Sequence, residues 1–154
     1  MFDCNNDGRD HINVYSQGRT QLGVFLSNWY RYPMILGDLG RFESVEGLWY
    51  YLSRRDERLR NMSGYAAKRL GSSLPKVATL SDEMFKEIIK MALKKKVAGG
   101  PFYFQFVNSV LPFDHYYLFN TRQVDAENKW LIEYLEELRS ELKNNLNKGS
   151  IKNL

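Results

Sequence analysis

Glu46 follows Ser44-Val45 and precedes Gly47 and the run Leu48-Trp49-Tyr50-Tyr51, so an acid stands at the head of an aromatic segment. Upstream, Ser27-Asn28-Trp29 and then Pro33 supply a carboxamide and more rings, and Tyr15-Ser16 stands earlier still. An acid, an amide and flat rings suit cleavage of a bond between a sugar and a base. The acid meets a cationic sugar or activates water, and the rings stack on the base. No single residue decides this; order and spacing carry it. On a helix opened by Ser44, Glu46 lies about 100° round from Val45, at the border of the apolar stripe, with Tyr50 one turn on along the same face. A carboxylate at such a border is partly desolvated, which raises its pKa and suits it to acid–base work. Glu46 equally suits the first turn of any helix, where the dipole favours an acid.

Asp114 is the second candidate acid, in the aromatic stretch Leu111-Pro112-Phe113-Asp114-His115-Tyr116-Tyr117. Two carboxylates flanking a glycosidic carbon would match the oxocarbenium-like transition state of glycoside chemistry. An Asp after Pro-Phe also serves a turn or a cap, and Asn28 after an apolar segment serves a turn equally well. The 22 aromatic residues, Tyr30, Tyr32, Trp49, Tyr50, Tyr51, Tyr116 and Tyr117 among them, exceed what a small core must hold. A glycine-rich phosphate loop, a Gly-x-Ser-x-Gly elbow and paired histidines are absent from the sequence.

These residues need elements to hold them. Residues 1–10 read as a flexible leader and 144–154 as a frayed polar tail, leaving 11–143 as one catalytic domain. His11 to Tyr15 alternates like a strand, and Gln17 to Gln21 is a polar loop. Met34 to Phe42 reads as a hairpin with glycines in its turn. Ser44 caps a helix with Val45, Leu48, Trp49 and Leu52 at helical spacing. A second helix is expected over Met62 to Leu70, stopped by Gly71. A third begins at Ser81 or Thr79 and ends at Gly99-Gly100-Pro101. Phe102 to Leu111 fits helix or strand equally. A last helix is expected from Asp125, with Trp130, Leu131, Tyr134, Leu135, Leu138 and Leu142 inward. The class is α+β, mostly helix around a small sheet.

Composition narrows the chemistry further. Hydrophobic residues make up 44% of the 154 and charged residues 26%, as in ordinary globular domains. No apolar run approaches the ~20 residues of a membrane span, and the polar, acidic start lacks signal-peptide order. Cys4 is the only cysteine, and His11 and His115 are the only histidines. Disulfides and thiolate metal clusters are thereby excluded, and few residues remain for zinc or Ser-His chemistry. The expectation is a cytoplasmic protein with no metal and no cofactor. The formal charge of +4 tolerates polyanions such as nucleic acids or nucleotide phosphates. Lys94-Lys95-Lys96, at the end of a helix, suit the dipole there and say little about ligands.

With these residues in view the chain resembles the NADAR (YbiA-like) superfamily. Ile12-Asn13-x-Tyr15-Ser16 is similar to its opening strand, and Ser27-Asn28-Trp29 with Pro33 four residues on is similar to its Ser-Asn-aromatic-x-x-x-Pro element. Ser44-Val45-Glu46-Gly47 resembles its glutamate helix, and Ala66-Ala67-Lys68-Arg69-Leu70-Gly71 the helix end that follows. The last helix, with Leu135, Leu138, Arg139 and Leu142, matches the closing pattern, so the resemblance spans residues 12 to about 143. Two elements depart from the pattern. Asp114-His115-Tyr116-Tyr117-Leu118 stands where many members have Asp-x-Tyr-Trp-Gly. Ala126-Glu127-Asn128-Lys129-Trp130-Leu131 only approximates a Gly-x-Asn-x-Leu-Gly element.

The resemblance implies N-glycosidic bond cleavage. Some members act on ribosylated intermediates of riboflavin synthesis, and others remove ADP-ribose from guanine in DNA, reversing toxin-type ADP-ribosylation. It makes Glu46 the essential carboxylate and Asn28 a substrate-orienting amide, with Asp114 assisting proton transfer. Tyr50 would help hold ribose and base, and Arg19, Lys68 and Arg69 are candidates for the pyrophosphate. Tyr15, Ser16, Trp49, Gly71, Tyr117 and Asn128 complete the expected substrate-binding set. Ser44-Val45-Glu46-Gly47-Leu48-Trp49-Tyr50-Tyr51 differs from the glutamate-histidine, glutamine-rich helix of the riboflavin-linked members. The expected partner is therefore ADP-ribosylated DNA, in an anti-toxin or phage-defence setting. A small ribosylaminopyrimidine is the alternative substrate, and a non-catalytic ADP-ribose or nucleic-acid binding module the alternative function.

Overall fold

The computed structural model describes residues 1–152, with side chains through residue 149. In chain order it runs β1 (Ile12–Asn13), α1 (Gln21–Leu26), β2 (Met34–Ile35), β3 (Arg41–Phe42), α2 (Val45–Arg54) and α3 (Gly64–Ser73). There follow α4 (Asp82–Gly99), α5 (Tyr103–Asn108), β4 (Phe113–Asp114), β5 (Tyr116–Phe119), β6 (Arg122–Asp125) and α6 (Trp130–Lys152). The architecture is α+β and mostly helical, and among the described residues the strands form three two-stranded ladders. No helix among the described residues is long and apolar enough to cross a membrane. The chain gathers into two compact units, Met1–Phe25 with the chain from Pro101 onward, and Leu26–Gly100.

In the first unit β1 and β4 pair in parallel, Ile12 with Phe113 and Asn13 with Asp114. Asp114 thus sits in a strand rather than in a loop. The Asn13 side chain fixes the next residue pair, accepting from the Tyr116 N–H (3.0 Å) and donating to the Tyr116 carbonyl (3.1 Å). Residues 1–10, expected to be a loose leader, are tied down. Cys4–Asn6 form a 3-10 turn, and the buried Asp7 carboxylate accepts the N–H groups of Asn13 (2.9 Å) and Arg19 (2.8 Å). A buried acid needs such donors. The ambiguous stretch after Pro101 resolves as α5, with Phe106 and Val107 buried.

The last helix begins at Trp130, not Asp125. Arg122 to Asp125 pair antiparallel with Tyr116 to Phe119 across a turn at the left-handed Asn120, so their backbone groups are already satisfied as strand. Leu131, Leu135, Leu138 and Leu142 then recur at helical spacing and are buried, whereas Trp130 and Tyr134 are half-buried. The helix runs past Asn144 to Lys152, through most of the expected frayed tail; Asn153 and Leu154 lie outside the described residues.

In the second unit the expected hairpin is present, Met34 opposite Phe42 and Ile35 opposite Arg41. Ser44 caps α2 as its type predicts, its Oγ accepting the Gly47 N–H at 3.0 Å. Val45, Leu48 and Leu52 are fully buried along one stripe of α2. Ser81 caps α4 in the same way. The face of α4 that enters the core is Ile89, Ala92, Leu93, Lys96 and Val97, while Met84 is exposed.

The helix α3 does not stop at Gly71 but passes through it to Ser73. A β-carbon at Gly71 would lie 2.1 Å from Cγ of Tyr50, so glycine is present for the close approach of α3 to α2 rather than to end a helix. Gly47 answers the same need elsewhere on α2, where a β-carbon would lie 2.3 Å from the Leu59 carbonyl oxygen.

Candidate functional site

Glu46 stands in the first turn of α2, and its position follows from three local devices. Ser44 caps the helix, and its hydroxyl also donates to the Met62 carbonyl at 2.8 Å. Gly47 lets the helix start pack against the Leu59–Met62 backbone. The Glu46 N–H donates to the Asn28 carbonyl at 2.9 Å, which joins the Ser27-Asn28-Trp29 segment to the acid directly. Of Ser-Val-Glu-Gly, the serine and glycine shape backbone and the glutamate is left to do chemistry.

Glu46 is 9% exposed, and burial pushes its pKa up to about 7. The Lys68 ammonium and a hydrogen bond from the Trp29 side chain pull the other way without cancelling that rise. An acid that is half ionised near neutral pH can hold or release a proton during a reaction. Tyr50 faces the same group. Burial and then the Glu46 charge raise its phenol pKa, with Arg54 opposing them. Its ring is fixed between Gly71 and the Arg54 guanidinium, which lies 5.4 Å from the ring centroid and donates to the Gly71 carbonyl at 3.0 Å.

Asn28, Glu46, Tyr50, Lys68 and Gly71 are thus gathered in the second unit. Trp49 is not part of the cluster, because its ring packs edge-on against Phe85 of α4 at 4.7 Å between centroids. Arg69 is exposed on α3 and has no part in the electrostatics of Glu46.

The remaining expected residues lie in the first unit, where the geometry argues against several assigned roles. Asp114 is opposed by burial, yet the Lys129 ammonium at 2.8 Å and the His115 N–H at 2.8 Å hold its carboxyl below the usual range. Lys129 also reaches Asp125 at 2.5 Å and the His115 carbonyl at 2.8 Å. A carboxylate locked in that way is a poor proton donor near neutral pH. With Met1 and Phe2, Asp114, Asp125 and Lys129 line an open cavity of about 370 Å³. Arg19, expected at a pyrophosphate, directs its guanidinium to the Asn5 carbonyl (3.0 Å) and side chain (3.4 Å) and so braces the first turn. Asn128 leads into α6, its carbonyl accepting the Leu131 N–H at 3.1 Å. Tyr15 and Tyr117 meet edge-to-face at 5.7 Å, and Ser16 is half-buried beside Tyr15 in sequence.

Two residues on or against the Ser27–Trp29 segment were given no binding role from the sequence. Trp29 bonds to Glu46, and its ring also meets Tyr65 (6.3 Å) and the Lys68 ammonium (5.9 Å). Lys96 is fully buried, with its Nζ donating to the Ser27 carbonyl at 2.8 Å and lying 5.5 Å from the centre of the Tyr30 ring. Burial lowers its pKa to about 7. Its signal was in the sequence, since Ile89, Ala92, Leu93, Lys96 and Val97 recur at helical spacing on one face. Among the described residues no three His, Cys, Asp or Glu side chains converge as metal ligands.

No family model matches the chain, and no curated protein matches it in sequence. A solved structure does match, that of the protein YbiA of E. coli, determined by NMR. The two share a TM-score of 0.64 over 94% of this chain and 95% of that one. The chain has the YbiA-like fold. At 18% identity the likeness is one of fold. The YbiA-like fold is the one the sequence resemblance implied.

Proposed function

We propose that the protein is an N-glycosidase, a hydrolase of glycosyl bonds, that removes ADP-ribose from guanine bases in DNA. The observation that carries this reading is Glu46, buried at the start of α2, with its pKa near 7 and with Trp29, Tyr50 and Lys68 about it. In its ionised form Glu46 stabilises positive charge at the anomeric carbon as the bond to the base nitrogen breaks. It then takes a proton from the attacking water. The water oxygen bonds to the anomeric carbon, the electron pair of the broken bond stays on the base nitrogen, and the proton passes on to that nitrogen. Lys68, an exposed cation next to the acid, meets the pyrophosphate, and the Asn28 amide orients the ribose.

The test is incubation of the purified protein, without added metal, with an oligonucleotide carrying ADP-ribosyl-guanine, beside a Glu46→Gln variant. Wild type is expected to release free ADP-ribose, and the variant to be slower by at least 10²-fold, as for loss of a general acid–base group. Absence of release from the oligonucleotide, with turnover of a ribosylaminopyrimidine, would move the reading to the small metabolite. Absence of both would leave binding without catalysis.

A further inference from the structure

Tyr65 is a large aromatic residue left 65% exposed, directly beside the candidate site, and the reaction proposed above makes no use of it. Its position is specified by the fold. The Gly64 N–H donates to the Trp29 carbonyl at 3.1 Å, so the start of α3 is docked on the same segment that contacts Glu46. Tyr65 and Lys68 stand three residues apart on α3 and therefore share a face. From that face both reach Trp29: the Tyr65 ring lies 6.3 Å from the indole centroid at 55° to it, and the Lys68 ammonium 5.9 Å from it.

The other aromatic residues of this neighbourhood are already covered. Tyr50 is wedged against Gly71 under Arg54, Trp49 packs on Phe85, and Tyr51 is buried with Arg60 4.4 Å from its ring centre. Tyr65 alone of this group combines an exposed ring with a direct contact to the residue that bonds the acid.

We infer that Tyr65 and Trp29 form a stacking subsite for the nucleobase from which the sugar is cleaved, with Tyr65 as the residue that binds that base. The inference rests on the glycosidase reading above and names the half of the substrate this face takes. Glu46 must lie beside the scissile carbon, the anomeric carbon of the ribose, which carries the leaving base. The adenine of an ADP-ribosyl group is a pyrophosphate and two riboses further away. One shared neighbour, Trp29, separates Tyr65 from the acid, so the leaving base is the planar group within reach. An exposed ring contributes to such binding through its π-face and with little regard to its substituents.

The experiment is equilibrium binding of a labelled single-stranded oligonucleotide carrying one ADP-ribosyl-guanine, in a Glu46→Gln background that suppresses turnover. Tyr65→Ala and Tyr65→Phe are compared there, with free ADP-ribose as competitor and thermal melts to confirm folding. Tyr65→Ala should weaken the oligonucleotide by about 10-fold, the size expected for one lost base stack, while leaving ADP-ribose competition unchanged. Tyr65→Phe should bind as the parent does. Equal binding by the alanine variant would overturn the subsite, as would a parallel loss of ADP-ribose affinity or a phenylalanine variant as weak as alanine. The same titration with unmodified guanine oligonucleotide separates this inference from the activity. If wild type releases no ADP-ribose but Tyr65→Ala still loses about 10-fold here, the hydrolase reading fails and the base subsite stands. If the parent binds neither oligonucleotide, the subsite fails.

Discussion

Glu46 shows how one side chain acquires chemistry from its surroundings. A solvated glutamate is ionised throughout the neutral range, whereas burial brings this one to about 7. If the ionised form does the work, kcat/KM should rise with pH through about 7 and then level, and a flat profile between pH 5 and 9 would refute that role. The stability of the protein should follow the same group. The folded pKa is raised above the unfolded value of 4.5, so the stability it contributes is fully present below pH 4.5 and is lost as pH rises through about 7. Glu46→Gln should therefore melt close to wild type at pH 4.5 and above it at pH 8, which thermal melts at the two pH values would check. The spacing of residues 44–47 placed this acid in the first turn of a capped helix, because a capped helix start is a local property. Its burial raises its pKa, and the groups that oppose that rise, Trp29 and Lys68, lie 17 positions before it and 22 after it, beyond the reach of local pattern.

At the scale of elements, α2 and α3 meet where Gly71 leaves room for the Tyr50 ring. Gly71→Ala should gain up to about 1 kcal/mol of helix propensity. It should lose more through overlap of the new methyl with Tyr50, since overpacking costs about 1–3 kcal/mol. The expected net result is a lower melting temperature together with reduced turnover, because the displaced ring is the one that faces Glu46. A rise in melting temperature would mean that α3 can move away freely. The sequence placed a helix here but took Gly71 as its end, since a glycine after an amphipathic run marks a terminus as readily as a close approach. The start expected for the last helix at Asp125 failed for a related reason. Local pattern does not show that Arg122–Asp125 have a strand partner in Tyr116–Phe119.

Across the molecule, the two candidate acids belong to different units and have opposite electrostatics. Asp114 in the first is held below the ordinary carboxylate range by Lys129, and Glu46 in the second is raised. The second unit also carries Lys96, whose folded pKa is depressed from 10.5 to about 7 by burial. Its sign is the reverse of that of Glu46. Between pH 7 and 10.5 the unfolded lysine holds a proton that the folded one has lost, so stability rises with pH over that window. Together the two groups place a minimum in stability near neutral pH. Lys96→Met should remove the upper limb: its melting temperature relative to wild type should fall steadily from pH 7 to 10, as read by melts across that range. A constant offset would show that the lysine keeps its proton when buried. The substitution also deprives the Ser27 carbonyl of its donor, so some loss of turnover through the Ser27-Asn28-Trp29 segment is expected.

The sequence alone determined the local features: the Ser44 and Ser81 caps, the 34–42 hairpin, the buried Leu131–Leu142 stripe, the α+β class and Glu46 as the residue to examine. Each is set by neighbours within a few positions, where dihedral preference, capping and periodicity act. Only the tertiary structure decided that Gly71 is a contact, that Asp114 is an ion-pair partner, that Arg19 braces the first turn and that Lys96 and Tyr65 flank the Ser27–Trp29 segment. Those facts depend on desolvation and on contacts between residues 14 to 69 positions apart, which no local pattern records.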